Sequence, residues 1–379
     1  MTTIGVPREI KADEYRVGLT PAGVRDLVSR GHVVVVEQGA GLGSAIPDAD
    51  YTAQGAELAP DADTVFARAQ VIVKVKEPQA VEIARLRSDH VLFCYLHLAP
   101  DVEQTEGLLR SGATAIAYET VTDAQGRLPL LAPMSEVAGK IAAQAGASML
   151  EKPAGGRGML LGGVPGVAPG RVLVIGGGVV GRNAADVAAG MGAQVSILDR
   201  DIDRLRELDL HYGGRVTTIH SSALAVEQLL PEVDLVIGAV LVQGARAPRI
   251  ATREHLKLMK PGAVLVDVAI DQGGCFETSR ATTHSDPTYM VDGILHYCVA
   301  NMPGAVPVTS TAALTNATLP YLVKLADHGV RAALSADPGF LAGLATVAGA
   351  LTSEPVARDQ AREWLAPELA LQRLAGDTA

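Results

Sequence analysis

The sequence has few of the residues that nucleic-acid-binding proteins use. Its 379 residues include only 4 Phe, 8 Tyr and one Trp, whereas proteins that bind single-stranded nucleic acid stack its bases on aromatic rings. Acidic residues outnumber basic ones by 42 to 32, for a formal net charge of −10. Because no excess of positive charge is present to hold a phosphate backbone, we expect no nucleic-acid partner.

Cysteine is also scarce. The three cysteines, Cys94, Cys275 and Cys298, are odd in number, far apart and outside any CxxC pattern. This usage is typical of reduced thiols, so we expect neither a disulfide framework nor a metal site. The first residues reach the charged Arg8 and Glu9 without a long apolar run, so no signal peptide is evident and the expected location is cytoplasmic.

No clean hydrophobic run of membrane-spanning length is evident, although the mean hydropathy is +0.22. The uncharged stretch 297–323 is interrupted by Asn301, Pro303, Pro307 and Pro320. A spanning helix needs about 20 mainly apolar residues that satisfy their own backbone. We therefore expect a buried loop and helix that line a site, with no membrane partner.

Short apolar runs alternate with helical patterns, which is typical of parallel sheets joined by crossovers. At 379 residues the chain exceeds the size at which single cores divide, so we expect two domains. Helices are predicted near 22–29, 79–87 and 102–111, the first after an N-cap Thr20 and Pro21. The predicted strands of the two series are 4–6, 32–37, 71–75, 91–96, 113–118, 172–175, 194–198, 216–220, 235–240 and 263–268.

Two features suggest how the domains are joined. Ser135 is predicted to open a helix that runs to about Leu150, and the Gly/Pro-rich stretch 153–170 is interpreted as a hinge or boundary. The final segment, from about 309 to 379, is mostly helical by pattern and is expected to have no strand partners of its own. We therefore expect it to pack back on the first domain.

The sharpest motif is Gly176-x-Gly178-x-x-Gly181, which follows an apolar strand and precedes an Ala-rich helix. Asp199 closes the next strand 18 residues later. Such glycines allow a tight turn, backbone approach to a pyrophosphate and close helix packing, while the acidic residue binds ribose hydroxyls. The pattern predicts an NAD site that disfavours NADP. The alternatives are a glycine turn that binds nothing and an Asp199 that is merely solvated.

Charged residues that interrupt the apolar runs of the first domain are candidates for a substrate site. Arg16 lies in a loop after the first strand, Lys74 and Lys76 share a face at a strand end, and His97 ends another strand. Ligands of parallel sheets collect beyond the carboxyl ends of strands. Each residue could instead be a surface or core side chain. Asp267 and Asp271 compete in the second domain, and spacing does not rank them.

Ten segments, in order along nearly the whole chain, together resemble the alanine dehydrogenase family. This resemblance implies two Rossmann-like, doubly wound α/β domains, with an NAD-binding domain, 135–303, inserted into a substrate domain formed by 1–134 and 304–379. It also implies a homohexamer. The segments are 5–24, 71–78, 96–100, 117–121, 128–140, 174–181, 234–248, 265–277, 297–311 and 313–322.

The resemblance also implies residue roles. Arg16 and Lys76 match the residues that hold the substrate carboxylate and carbonyl oxygen. His97 matches the proton-transferring histidine, and Asp271, rather than Asp267, matches the aspartate that works with it. The implied cofactor positions are Ser135, Gly176, Gly178, Val180, Gly181, Asp199, Ser221, Leu241, Asn301 and Met302, the last as an apolar wall against nicotinamide.

The implied activity is NAD-dependent oxidative deamination of L-alanine to pyruvate and ammonium, and its reversal. One alternative is a module that binds NAD without amino-acid dehydrogenase activity, like the nucleotide-binding subunit of a proton-translocating transhydrogenase. The presence of Lys76, His97 and Asp271 argues against it. A second alternative is a saccharopine- or lysine-type dehydrogenase, whose larger substrate needs more charged pocket residues than the sequence offers.

Overall fold

The computed structural model describes residues 1–240 and 248–374. The chain forms two compact units. The first consists of Met1–Met134 together with Val306–Ala379, and the second is Ser135–Ala305. The second unit thus interrupts the first in sequence, and its end at 305 lies two residues beyond the expected boundary at 303.

The strands are short and rich in Val, Ile and Leu, as fully buried parallel strands are. In chain order they are β1 (Thr3–Val6), β2 (Val33–Glu37), β3 (Glu57–Ala59), β4 (Val71–Val73), β5 (Val91–Cys94), β6 (Thr114–Ala117), β7 (Arg171–Ile175), β8 (Gln194–Asp199), β9 (Val216–His220), β10 (Leu235–Gly238), β11 (Val264–Asp267), β12 (Thr288–Val291), β13 (Ile294–Tyr297), β14 (Leu344–Val347) and β15 (Ala350–Leu351).

Helices connect these strands. They are α1 (Pro21–Ser29), α2 (Asp48–Ala53), α3 (Ala62–Arg68), α4 (Ala80–Ile83), α5 (Val102–Ser111), α6 (Ala132–Met149), α7 (Val179–Gly190), α8 (Ile202–Tyr212), α9 (Ala223–Leu229), α10 (Arg253–Leu256), α11 (Pro307–Ser335), α12 (Pro338–Leu341), α13 (Glu354–Asp359) and α14 (Pro367–Ala370). In the part of the chain that the structure describes, none of them is both long and apolar enough to cross a membrane.

The sheet of the first unit has the order β15-β14-β6-β5-β4-β1-β2-β3. Strands β1 to β6 are parallel, with registers such as Ile4 opposite Val34 and Val71 opposite Val91. Read from β3, the order is 3-2-1-4-5-6, which is that of a doubly wound nucleotide-binding fold, and the order reverses between β1 and β4. The core packs around fully buried side chains such as Ile72 and Leu92.

The sheet of the second unit repeats this topology. Its order is β12-β13-β11-β10-β7-β8-β9, so the parallel strands again follow the doubly wound pattern, and the reversal lies between β7 and β10. Strand β12 is the exception, since it pairs with β13 in the antiparallel direction. Both sheets confirm the predicted fold class of two Rossmann-like α/β units.

Local signals in the sequence account for several element ends. The Thr20 side chain accepts a hydrogen bond from the N–H of Gly23, and Pro21 occupies the first helical position of α1, as predicted. Helix α5 begins after Asp101, whose side chain accepts from the N–H of Gln104, and ends at Gly112 with a φ of 70°. The prediction of a helix at 102–111 is therefore confirmed.

The prediction that the C-terminal segment has no strand partners of its own is wrong. Residues 344–347 and 350–351 form β14 and β15, and β14 pairs antiparallel with β6, placing Leu344 opposite Ile116. These strands are four and two residues long and carry no long apolar run. Strand β14 is extended because it pairs with β6, which is distant in sequence, and β15 because it pairs with β14; local pattern does not record the first of these pairings.

Other boundaries also differ from prediction, and three of them bear on the candidate site or on the joint between the units. The helix expected to open at Ser135 begins at Ala132. Pro133 is tolerated there because the backbone N–H groups of the first helical turn have no intrahelical acceptor, so the N–H that proline lacks costs no hydrogen bond. The strand expected at 71–75 ends at Val73. Of the helix expected at 79–87, only Ala80–Ile83 forms an α-helix.

Candidate active site

Arg16 lies in the loop after β1 and is buried, with 2% of its surface exposed. Its guanidinium forms a two-pronged ion pair with Glu14, with Nε to Oε1 at 2.6 Å and Nη2 to Oε2 at 2.5 Å. Burial by itself lowers the pKa of Arg16, but the hydrogen bonds and charge of Glu14 more than offset this, and the net pKa is raised. Arg16 is therefore a fixed, permanently charged cation at this strand end.

Lys74 and Lys76 lie in different environments. The strand that was expected to place both on one face ends before either residue. Lys74 is 1% exposed, and its Nζ pairs with Glu9 at 3.0 Å and Glu82 at 2.8 Å. Burial lowers the pKa of Lys74, yet the charges of Glu9 and Glu82 raise it well above its usual value. Lys74 is therefore an internal ion-pair residue, and Lys76, 8% exposed, remains the candidate for substrate binding.

His97 follows β5, is exposed, and has a φ of 50°, which is uncommon for a residue with a side chain. Its backbone N–H donates to Oε1 of Glu119 at 2.7 Å. Its ring stacks on Tyr95 at a centroid distance of 5.8 Å. The carbonyl of Leu96 accepts from the Gln104 side chain at 2.9 Å. The turn that carries His97 is thus held on both sides of the peptide.

Charges connect these residues within the first unit. Burial raises the pKa of Glu77, but the hydrogen bond from Lys11 and the positive charges of Lys76 and Lys11 more than offset this, and the net pKa is below its usual range. Arg16, Lys76 and His97 follow β1, β4 and β5, which are neighbours in the sheet. The first two therefore flank the switch point between β1 and β4, where doubly wound folds bind ligands.

The glycine turn of the second unit has the features that a dinucleotide needs. Gly176 has a φ of 102°, and a Cβ on Gly181 would lie 1.7 Å from the carbonyl oxygen of Gly176. A Cβ on Gly178 would meet nothing within 4 Å, so the space beside its backbone is open. Gly178 is the N-cap of α7. The turn therefore presents an open helix N-terminus, which attracts phosphate.

Asp199 ends β8 beside this turn. Its Oδ2 accepts from the N–H of Gly177 at 2.6 Å and its Oδ1 from the N–H of Asp201 at 2.9 Å. The N–H of Ser221, after β9, donates to the Asp199 carbonyl at 2.8 Å. Gly176, Gly178, Gly181, Asp199 and Ser221 are therefore brought together at the carboxyl ends of β7, β8 and β9.

The remaining cofactor candidates lie at several places in the second unit. Ser135 is one helical turn before Gly139, where a Cβ would lie 2.2 Å from the carbonyl oxygen of Val180, so α6 packs closely on the start of α7. Asn301 has a φ of 62°, and Met302 is 3% exposed; both follow β13. Leu241 lies outside the described residues.

Asp267 and Asp271 have opposite environments. Asp267 is completely buried, and its carboxylate accepts hydrogen bonds from the N–H groups of Ala269 and Cys275. Asp271 is exposed, in the short 3-10 helix Val268–Gln272 after β11. Because Asp271 is exposed and Asp267 is not, Asp271 is the better candidate for proton transfer.

The cysteines are structural by environment. All three are buried and unpaired, and burial raises the pKa of each thiol, which keeps it protonated and unreactive. Over residues 1–240 and 248–374, no group of three His, Cys, Asp or Glu side chains is arranged to hold a metal ion.

Sequence reasoning missed Glu14, Glu77 and Glu119, although each contacts or influences a candidate. Glu119 comes two residues after the end of β6, in a segment that contributed to the family resemblance. The rule that selected His97, a charged residue just past a strand end, also selects Glu119. The pairing of Glu14 with Arg16 left no comparable signal.

Comparisons with known proteins agree with this arrangement. The sequence matches the N-terminal domain of the family Alanine dehydrogenase/PNT over residues 5–138 and its C-terminal domain over 142–354. It is 61% identical to an alanine dehydrogenase of Halomonas elongata over 354 residues, which cover 93% of this chain and 95% of the relative.

Two solved structures are similar over nearly the whole chain. One, named L-alanine dehydrogenase, has a TM-score of 0.92 and 50% sequence identity. The match covers 95% of this chain and 99% of the chain in that structure. A transhydrogenase of Sinorhizobium meliloti has a TM-score of 0.79 and 28% identity, with coverage of 93% and 99%. The chain therefore belongs to the alanine dehydrogenase/PNT family.

Proposed function

We propose that this enzyme oxidises L-alanine with NAD to pyruvate and ammonium and catalyses the reverse reductive amination. The observation that carries the proposal is that one unit presents the buried cations Arg16 and Lys76 at its switch point while the other has a complete dinucleotide turn. The relatives named alanine dehydrogenase, at 61% and 50% identity, support this substrate over others.

Arg16 and Lys76 would bind the substrate's carboxylate and carbonyl oxygen. The Glu14 pair engages Nε and Nη2 of Arg16, and Nη1 contacts the sulfur of Met134 at 3.0 Å. Glu14 fixes the plane of the guanidinium beforehand, which lowers the entropy cost of binding.

The chemistry that NAD supplies when bound is acceptance of the hydride from Cα of alanine. Loss of that hydride from the neutral-amine form would leave an iminium ion; water would add to its carbon, and cleavage of the C–N bond would release ammonium and form the carbonyl of pyruvate. His97 would take the proton of the attacking water, and Asp271 would exchange protons with the departing amine. Histidine suits this exchange because its ordinary pKa is about 6.5.

The second unit fits the cofactor on geometric grounds. The open space at Gly178 and the N-terminus of α7 would hold the pyrophosphate, and Asp199 would accept from the adenosine ribose hydroxyls. The charge of Asp199 would repel the 2′-phosphate of NADP. The other residues proposed to contact NAD are Ser135, Gly176, Val180, Gly181, Ser221, Leu241, Asn301 and Met302.

We also propose, from the family resemblance, that the enzyme is a homohexamer in the cytoplasm. Light scattering tests the assembly, because a hexamer has about six times the chain mass of 39.2 kDa. A monomeric or dimeric mass at assay concentration would contradict it.

The experiment that tests the function measures NADH formation from L-alanine and NADH consumption with pyruvate plus ammonium. We expect turnover in both directions, and none with D-alanine. NAD binding without turnover in either direction would contradict the proposal and favour a transhydrogenase-like module.

A further inference from the structure

We infer that Asp267 is a positioning residue that fixes the segment 268–279, and through it Asp271, for the reaction. The inference rests on the proposed function, which assigns proton transfer to Asp271. It comes from the way one buried carboxylate organises an irregular segment between β11 and β12.

The carboxylate of Asp267 adds hydrogen bonds to a segment that also has backbone pairing, such as the bridge between Phe276 and Ala251. Oδ1 accepts from the N–H of Ala269 at 3.1 Å, on one side of Asp271. Oδ2 accepts from the N–H of Cys275 at 2.9 Å and the hydroxyl of Ser279 at 2.5 Å, on the other side. Residues on both sides of Asp271 in sequence, Ala269 before it and Cys275 and Ser279 after it, are therefore bonded to one carboxylate.

The chain passes close to this carboxylate because glycine allows it. Gly274 has a φ of 76°, and a Cβ there would lie 2.8 Å from Oδ2 of Asp267. Cys275 is also confined, since a Cβ on Gly238 would lie 2.2 Å from its Sγ, and that sulfur lies 3.4 Å from Oδ1 of Asp267. The segment thus has little room to adopt another conformation around Asp267.

Contacts made by the residues on either side of Ser279 attach this end of the segment to β12 and β13. The hydroxyl of Tyr289 donates to the carbonyl of Thr278 at 2.9 Å and accepts from the N–H of Arg280 at 2.7 Å. The Thr278 hydroxyl contacts Nε2 of the fully buried His296 at 2.8 Å. The end of the segment near Ser279 is therefore also held by β12 and β13.

A direct chemical role for Asp267 does not fit its environment. It is completely buried, and both oxygens are engaged by protein donors. Burial raises its pKa, while the hydrogen bonds from Ser279 and Cys275 oppose the rise. Placing a carboxylate here is costly unless its hydrogen bonds are satisfied, which favours a role in holding the segment.

Replacement of Asp267 by Asn provides the test. The amide turns one acceptor into a donor that faces an N–H or O–H donor, so the segment should loosen. We expect kcat to fall about 10- to 100-fold, the cost of a small misplacement of a reacting group, with the Kd for NAD changed less than about twofold. Ser279→Ala, which removes one donor and keeps the carboxylate, should give a smaller loss.

The matched control is Asp234→Asn. Asp234 is also a buried aspartate of this unit, and it accepts from the N–H of Arg171 at 2.9 Å at the amino end of β10, away from the strand ends that carry the candidate site. This variant should lower the melting temperature and leave kcat unchanged. Equal losses of kcat in both variants would show a general stability effect and overturn the inference.

Two measurements separate this inference from the proposed function. In the Asp271→Asn background, Asp267→Asn should cost less than about twofold in kcat, because residues that act as a unit are non-additive; a full additional loss overturns the inference. Hydrogen exchange across 268–279 should accelerate in Asp267→Asn and not in Asp234→Asn, and unchanged exchange also overturns it. Exchange can be measured even if the wild type does not oxidise alanine, an outcome that contradicts only the proposed function.

Discussion

The backbone N–H of His97 donates a hydrogen bond to Oε1 of Glu119 at 2.7 Å. The N–H of Leu96 lies 3.2 Å from both oxygens of the same carboxylate. His97 has a φ of 50°, and a left-handed backbone persists in a residue with a side chain only where its surroundings favour it. The Glu119 carboxylate accepts the hydrogen bonds of these two N–H groups and so holds the turn in this conformation.

Replacement of Glu119 by Ala should therefore release the His97 turn. We expect kcat to fall about 10- to 100-fold through misplacement of the imidazole, while the Kd for NAD, which the second unit would bind, stays the same. Glu119→Gln keeps one acceptor and should give an intermediate kcat. Steady-state kinetics and calorimetric NAD titration provide both readings, and Glu106→Gln, at a surface glutamate that pairs with Arg362, is the control. Wild-type kcat in Glu119→Ala would contradict a positioning role.

His97→Ala should lower kcat by about 10² to 10⁴, the contribution of a general acid or base. NADH affinity should stay nearly intact, since the proposed cofactor residues lie in the other unit. Single-turnover kinetics measures the loss, and His328→Ala, at an exposed histidine of the same unit, should behave like the wild type. Wild-type turnover in His97→Ala would remove this residue from the scheme.

Two glycines of α7 provide a matched pair of substitutions. In Gly181→Ala the new Cβ would lie 1.7 Å from the Gly176 carbonyl oxygen, so the turn must shift. We expect a stability loss of about 1–3 kcal/mol and a marked loss of NAD affinity.

In Gly190→Ala the new Cβ would meet nothing within 4 Å. This change should stabilise the enzyme by about 0.5–1 kcal/mol through helix propensity, with NAD affinity unchanged. Thermal melts with and without NAD distinguish the two variants. Unaltered NAD binding in Gly181→Ala would show that the turn does not contact the cofactor.

Asp199→Ala should weaken NAD binding about tenfold, through loss of a hydrogen bond to a charged acceptor, and should narrow the preference for NAD over NADP. Calorimetric titration of both cofactors provides the measurement. Asp203→Asn, at an exposed aspartate that pairs with Arg206, should leave the preference unchanged. If the wild-type enzyme binds both cofactors equally, Asp199 does not set the specificity.

His90 makes stability depend on pH. It is 1% exposed; its Nδ1 accepts from the N–H of Arg87 at 3.1 Å, and its Nε2 contacts the carbonyl of Phe66 at 2.9 Å. Burial, together with the charge of Arg87, lowers its pKa. The unfolded chain therefore binds a proton at a higher pH than the folded chain does, and the stability that is present above pH ~6.5 is lost as the pH falls below it.

For one proton, this histidine can change the free energy of unfolding by at most about 1.4 kcal/mol per pH unit. His90→Asn keeps an acceptor and a donor without a titrating group, so its urea midpoint should fall less than that of the wild type between pH 7.5 and 5.5. Equal falls in the two proteins would show that other groups cause the acid sensitivity.

The elements that follow from local chemistry were predictable. Glycine flexibility, a strand rich in Val and Leu, and a following Ala-rich helix are properties of adjacent residues, so the turn Gly176–Gly181 could be located from sequence. The same holds for α1, where Thr20 and Pro21 define the helix start. The doubly wound fold class followed from the alternation of such elements.

Choices between similar residues needed the structure. Lys74 and Lys76 are two positions apart and chemically identical, yet Lys74 is neutralised by Glu9 and Glu82 from other parts of the chain. Asp267 and Asp271 are separated in the same way, by burial and by donors on a returning segment. The family resemblance favoured Lys76 and Asp271, but the physical distinction lies in their surroundings.

Taken alone, the sequence determined which segments form strands, turns and helices wherever the cause is local. The tertiary structure decided that β14 extends the first sheet, that Glu119 holds the His97 turn and that Asp267 is completely buried. In each case the hydrogen-bond partner lies elsewhere in the sequence, in a distant strand, in the loop after β6 or in the segment that returns past Asp267. Burial and hydrogen-bond partners arise only when the chain folds, because they depend on which surfaces meet.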